Sequence, residues 1–272
     1  MKRTFQVIGL ISLLGFSFFL TDKTATVIKN LDDIMIEIKE NKHLYEQEEI
    51  NAVIKDDGII PGISKKTVNV NKTYNSMKEY GKYNSNLYVF DYKIPTISIK
   101  NNLDKYIISG NSKKRMVSIN FLINDNTNIN KIIEILNNNE IKASFFVNEK
   151  WLSNNMDLAY NLIDNEFIFG IDNIDNNYEW MNTIITKVSK QNQIYCLYGD
   201  EVINKCQKIG GYTIKGIIID RDYYNNVTKS LKSGAIITFK VDDKLIKNLD
   251  NIIKYILKKG YTIKNLYDHI EE

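Results

Sequence analysis

The side chains best suited to chemistry in this sequence are carboxylates that fall just after β-rich runs. Asp125, Asp172 and Asp175 each follow such a run, and Asp220, Asp222 and Tyr223 cluster behind another. Carboxylate oxygens at the C-terminal ends of parallel strands could hold Ca2+ or Mg2+. Neither their spacing nor a loop signature supports that use, and Asp125, between Asn124 and Asn126, suits a helix cap equally well. No metal site and no cofactor is expected. Gly-x-Ser-x-Gly, Walker A and Gly-x-Gly-x-x-Gly are all missing, so neither an elbow serine nor a phosphate cradle is indicated. The histidines are His43 and His269 alone, and both read as surface or locally hydrogen-bonded groups. Trp151, Trp180, Tyr195, Tyr198 and Tyr223 could line a sugar-stacking cleft or simply pack a core. Cys196 and Cys206 could pair in an oxidising compartment or sit as two small buried hydrophobes.

These residues need elements to position them. From Lys113 onward, short β-rich runs alternate with amphipathic stretches, which predicts a largely parallel sheet covered by helices. The strand candidates are 116–121, 143–147, 167–170, 194–197, 214–219 and 235–239. Ile129, Ile132, Ile133 and Leu136 make the clearest helical stripe. Similar stripes run through Leu152, Met156, Ala159 and Ile163, through Met181, Ile184, Ile185 and Val188, and through Ile246, Leu249, Ile253 and Ile256. Periodicity alone leaves a barrel and a doubly wound sheet both open. Upstream, residues 25–49 read as a charged stalk. Residues 50–112, with turn signals at Asp57-Gly58 and Pro61-Gly62, read as a small α/β subdomain.

The first residues have the pattern of an export signal: Lys2 and Arg3, then an apolar run from Val7 to Leu20. At about 1.5 Å per residue this run gives about 21 Å of helix against a hydrocarbon core of about 30 Å, short for a span but extended by its flanks. With no clear small-x-small cleavage site, residues 1–24 are expected to stay as a signal anchor with the bulk of the chain outside the cell. A cleaved signal peptide and a buried core helix are the alternatives. The net charge of +3 is small and dispersed, so no nucleic-acid partner is expected.

Residues 115–270, within a domain read as 113–272, resemble the polysaccharide deacetylase (NodB homology) domain of the carbohydrate esterase 4 family. Val117-Ser-Ile-Asn-Phe121 stands where the family has its first strand. Ile141-Lys-Ala-Ser-Phe-Phe-Val147 is very like its second. Glu166-Phe-Ile-Phe-Gly170, Leu197-Tyr-Gly199, Ile217-Ile-Ile-Asp220, Ser233-Gly-Ala-Ile-Ile237 and Lys259-Gly-Tyr261 follow in the family's order. The resemblance implies a distorted (β/α) barrel, and in active members a divalent metal held by an aspartate and two histidines that activates water against an N-acetyl group. The positions that would carry this chemistry are altered. Leu122 and Ile123 stand where an Asp-Asp pair is expected. Asp172 and Asn176 fall near the histidine pair, Tyr195 near the loop arginine, and Lys240 in place of a late histidine. The resemblance therefore implies a degenerate member without catalytic residues. It would bind cell-wall or surface glycan, or an envelope protein, with Asp172, Tyr198, Asp220, Asp222 and Tyr223 as candidate ligand-binding residues. The alternative is a hydrolase of amide bonds with an altered site on the same scaffold.

Overall fold

A computed structural model of the chain describes residue 17 and residues 23–24, 26–123, 128–172, 178–189, 191–199 and 201–272. The strands are β1 (Val53–Lys55), β2 (Gly58–Ile60), β3 (Lys65–Val68), β4 (Phe90–Lys93), β5 (Tyr106–Ile107), β6 (Met116–Leu122), β7 (Ser144–Val147), β8 (Ile168–Ile171), β9 (Tyr195–Leu197), β10 (Tyr212–Ile214), β11 (Ile217–Ile219), β12 (Ile236–Lys240) and β13 (Thr262–Lys264). The chain divides into two compact units, one of residues 1–49 and 64–93, the other of residues 50–63 and 94–272.

In the first unit, helix Asp33–Asn41 lies against helix Val70–Tyr80, and β3 pairs antiparallel with β4. Ile38 and Met77 are fully buried in a cluster with Val68 and Tyr88. Asp32 caps the first helix through the Ile34 amide and binds Lys78 Nζ at 2.5 Å. This corrects two expectations. Residues 33–49 are not a free stalk, because burial of Met35 and Ile38 draws the helix into a core. The stretch 50–112 is not one subdomain either, since β1, β2 and β5 join the sheet of the second unit while 64–93 pack with the stalk residues.

The second unit holds an 11-stranded sheet in the order β1-β2-β5-β10-β9-β8-β7-β6-β12-β11, with β13 on the edge of β6 beside β7. From β10 to β11 along this path all pairings are parallel. Helices fill the crossovers, as the alternation requires. The sequence run 214–219, expected as one strand, is two. β10 ends at Ile214 and β11 begins at Ile217, and they pair with different neighbours. That break reveals the curl of the sheet. Along the ladders β10 and β11 are six steps apart, about 29 Å on a flat sheet, yet three residues of chain reach only about 11 Å. The seven strands from β10 to β11 must therefore bend round until their ends approach. Among the described residues no ladder joins them, so the barrel is curled but open.

Alternate residues of each strand serve two different cores. Val117, Ile119, Phe121, Phe145, Val147, Ile237 and Phe239 pack outward under the helices, against Ile132, Leu136, Leu249 and Ile253 among others. Leu122, Phe146, Tyr195, Leu197 and Ile236 point inward with Leu266 and Ile270 of the last helix. The stripe expected from Leu152 to Ile163 is divided at Asn155 into helices Glu149–Asn154 and Met156–Asp164. The expected membrane helix at 1–24 lies almost wholly outside the described residues. Among those described, no helix is long and apolar enough to cross a membrane.

Candidate functional site

The inward side chains form layers fixed by strand register. At the level of Ser118 sits Ile236, one step up Thr238, Asn120, Ser144 and Ile168 align, and at the C-terminal mouth Lys240, Leu122, Phe146 and Gly170 stand side by side. Barrels of this kind build their chemistry at the mouth layer. Here that layer is largely hydrocarbon. Leu122 is 7% exposed and Phe146 is fully buried, with its ring laid over Gly170. Ile123, the second position expected to be acidic, is also fully buried and belongs to the outward core.

Below the mouth polar groups stand among the inward Ile168, Ile236, Leu266 and Ile270. Asn120 donates Nδ2 to the Ile237 carbonyl at 3.2 Å, Ser144 Oγ accepts from the Leu266 amide at 3.0 Å, and Ser118 Oγ meets His269 Nδ1 at 3.0 Å. His269, expected at the surface or in a local hydrogen bond, is fully buried. Burial, then the nearby Lys114, lowers its pKa to about 4, so it is neutral at physiological pH. It stands at the level of Ser118, four residues or about 13 Å down β6 from Leu122, too far to ligate at the mouth. His43 lies in the other unit, exposed.

The predicted site residues follow three different strands. Asp172 follows β8, its amide donating to the Val147 carbonyl at 2.9 Å. Tyr198 follows β9 and is 41% exposed. Its ring meets Tyr106 edge to face at 4.9 Å, and Lys215 Nζ lies 4.6 Å from its centroid. Lys215 is in turn held by Asp57 at 2.9 Å, which lowers the Asp57 pKa and raises that of Lys215. Asp220, Asp222 and Tyr223 follow β11, four ladder steps from Asp172, or about 19 Å along the sheet.

Tyr223 is structural rather than ligand-facing. It is buried, and its hydroxyl lies 3.1 Å from the Asp220 carbonyl and 2.8 Å from that of Lys240, tying β11 to β12. Desolvation raises its pKa, followed by the Asp242 carboxylate. Trp151 and Tyr195 are likewise core residues, which leaves Trp180 and Tyr198 exposed. Asp125, Asp175 and Asn176 lie outside the described residues. A divalent ion at the mouth would need about three converging donors. Leu122 and Ile123 supply none, and among the described residues no three carboxylate, imidazole or thiol groups gather anywhere. The donors among the described residues do not fit the family's metal. Sequence reasoning missed Phe146, whose alternation with Phe145 in the Phe-Phe pair was the available signal that it faces inward.

Residues 109–195 match the family model described as polysaccharide deacetylase. Over that stretch the chain is similar to a polysaccharide deacetylase domain. The wild-type BA3943 protein of Bacillus anthracis, described as a CE4 family pseudoenzyme, superposes with a TM-score of 0.65 at 21% identity, covering 89% of this chain and 96% of that one. A BA3943 mutant described as having restored enzymatic activity gives 0.64 at the same identity and covers 89% and 99%. Bacillus subtilis PdaA, a family 4 carbohydrate esterase, gives 0.53 at 18% identity, covering 82% and 97%. These structures share the fold of the deacetylase domain. The uncharacterized protein YlxY of Bacillus subtilis (strain 168) is 26% identical over 281 aligned residues, spanning 92% of this chain and 87% of its own.

Cys196 and Cys206 form a disulfide that fastens β9 to helix Val202–Lys208. Of the two alternatives open in the sequence, pairing is the one found.

Proposed function

We propose that this protein is a noncatalytic relative of the polysaccharide deacetylases that works outside the cytoplasm, anchored by its N-terminal segment, and binds cell-envelope glycan. The observation that carries this reading is the mouth layer. Leu122 and Ile123 stand where a deacetylase needs a base and a metal ligand, Phe146 packs beside Leu122, and none of the three can accept a proton or coordinate. One lost group can leave residual activity, but here Leu122 and Ile123 replace two acids together, and neither histidine of the chain stands at an expected ligand position. Retention of the whole fold without its chemistry favours binding over turnover, with glycan as the ligand class the scaffold suits; an envelope protein is the other candidate partner.

The Cys196–Cys206 disulfide supports placement in an oxidising compartment. The positive end ahead of the apolar run supports an anchor with its bulk outside. Cell fractionation, N-terminal sequencing and co-sedimentation with purified cell-wall polysaccharide test the proposal. It expects membrane-bound protein retaining its first residues and sedimenting with the polysaccharide. Recovery in the cytoplasm, or a mature N-terminus near Ala25, would contradict the placement. Failure to sediment with the polysaccharide would contradict the ligand.

A further inference from the structure

Helix Asp243–Lys258 carries two faces. Leu245, Leu249, Ile252, Ile253 and Ile256 are buried against the sheet. Beside them Asn248, Asn251, Tyr255 and Lys258 recur at intervals of three and four, a second stripe on the same helix. Together with Tyr224 and Asn225 of helix Tyr223–Ser230, this stripe lines an open groove of about 910 Å³ on the outside of the barrel. Asp222, proposed from sequence as a ligand residue, lies on this groove.

We propose that this groove binds an anionic oligosaccharide, a reading that rests on the glycan-binding function above and names a second face for it. The Tyr224 and Tyr255 rings meet at 5.5 Å and 61°, giving an amphipathic platform of the kind on which sugar rings stack. Amides complement vicinal hydroxyls because each offers donors and an acceptor. Asn225 and Asn248 use their Nδ2 groups internally, on Asp222 Oδ1 and the Lys244 carbonyl, both at 2.8 Å, which leaves their oxygens to accept. Asn251 is exposed, and among the described residues neither of its side-chain polar atoms has a partner.

Charge selects the class of sugar. Lys254 is held by Asp250 at 2.6 Å. Lys258 and Lys259 have no carboxylate within ion-pair distance among the described residues, and Lys259 lies 5.5 Å from the Tyr255 centroid. Two ammonium groups on an aromatic groove favour a carboxylate or phosphate on the glycan, with Asp222 also on the lining to accept hydrogen bonds from hydroxyls.

Isothermal calorimetry of the detergent-solubilised full chain tests this, using a carboxylated oligosaccharide, the neutral oligosaccharide of the same length, and inorganic phosphate. The expected result is binding of the carboxylated sugar at least tenfold tighter than the neutral one and no measurable binding of phosphate alone. Tyr255→Ala, Asn251→Ala and Lys258→Ala should each weaken it severalfold, and Tyr255→Phe should largely restore it. Asn251 and Lys258 are exposed helix positions whose replacement leaves folding intact. Binding unaffected by these variants, equal affinity for the neutral sugar, or binding of phosphate as tight as of the sugar would overturn the groove. Loss on Tyr198→Ala alone would overturn it too, while leaving the broader glycan reading standing.

Discussion

Phe146 lies so close over Gly170 that a Cβ at residue 170 would stand 2.4 Å from the phenylalanine ring and 3.1 Å from the Tyr195 carbonyl. Glycine is what lets the ring close the mouth of the barrel beside Leu122. Gly170→Ala should therefore force Phe146 or the β9 backbone aside, at a cost of about 1–3 kcal/mol. Urea denaturation measures it, and an unchanged midpoint would show that the ring is not packed there.

Phe145 points the other way, into the outward core, with its ring 5.2 Å from both Phe121 and Phe167. It is fully buried. Phe145→Ala should cost about 3–5 kcal/mol, read in the same denaturation experiment. A loss under 1 kcal/mol would contradict its place in the central strands.

The opposite orientations of Phe145 and Phe146 show what could and could not be read from the sequence. The alternation of β-rich runs with stripes such as Ile129-Ile132-Ile133-Leu136 is enough to predict the parallel sheet and its helices, because burial of one helical face leaves a period in the sequence. The loss of the acidic pair at Leu122 and Ile123 is equally visible, since residue type alone settles whether a group can coordinate. The division of 214–219 into β10 and β11 is marked in the sequence only by Lys215-Gly216, which a single strand can also carry, and only pairing partners separate the two. For the same reason the contribution of β1, β2 and β5 to the large sheet was hidden. These strands are two or three residues long, too short for a period. Tyr223 misled because a tyrosine beside two aspartates looks the same whether its hydroxyl meets a ligand or, as here, two backbone carbonyls.

His269 makes stability depend on pH. Its folded pKa, about 4, lies below the unfolded value of 6.5, so the unfolded chain binds more protons between those values. The native state is then favoured above pH 6.5 and loses stability as pH falls toward 4, by about 3 kcal/mol in all at 1.36 kcal/mol per unit. Comparing wild type with His269→Gln isolates this from carboxylate titration. The variant should show a shallower loss between pH 6.5 and 4, and identical slopes would contradict a buried neutral imidazole.

The Cys196–Cys206 bridge closes a short loop between β9 and helix Val202–Lys208. Its reduction, or the paired change to serine, should cost about 2–4 kcal/mol and lower the thermal midpoint. An unchanged midpoint under reductant would argue that the thiols are not paired in solution.

The most direct test of the central claim is to measure zinc content and acetate release from chitooligosaccharide on one preparation of the purified chain. With Leu122 and Phe146 filling the mouth and His269 held at the level of Ser118, no zinc should survive dialysis and no acetate should appear above the buffer control. Stoichiometric zinc that is lost on Asp172→Asn, together with acetate released by the wild type, would contradict the noncatalytic account.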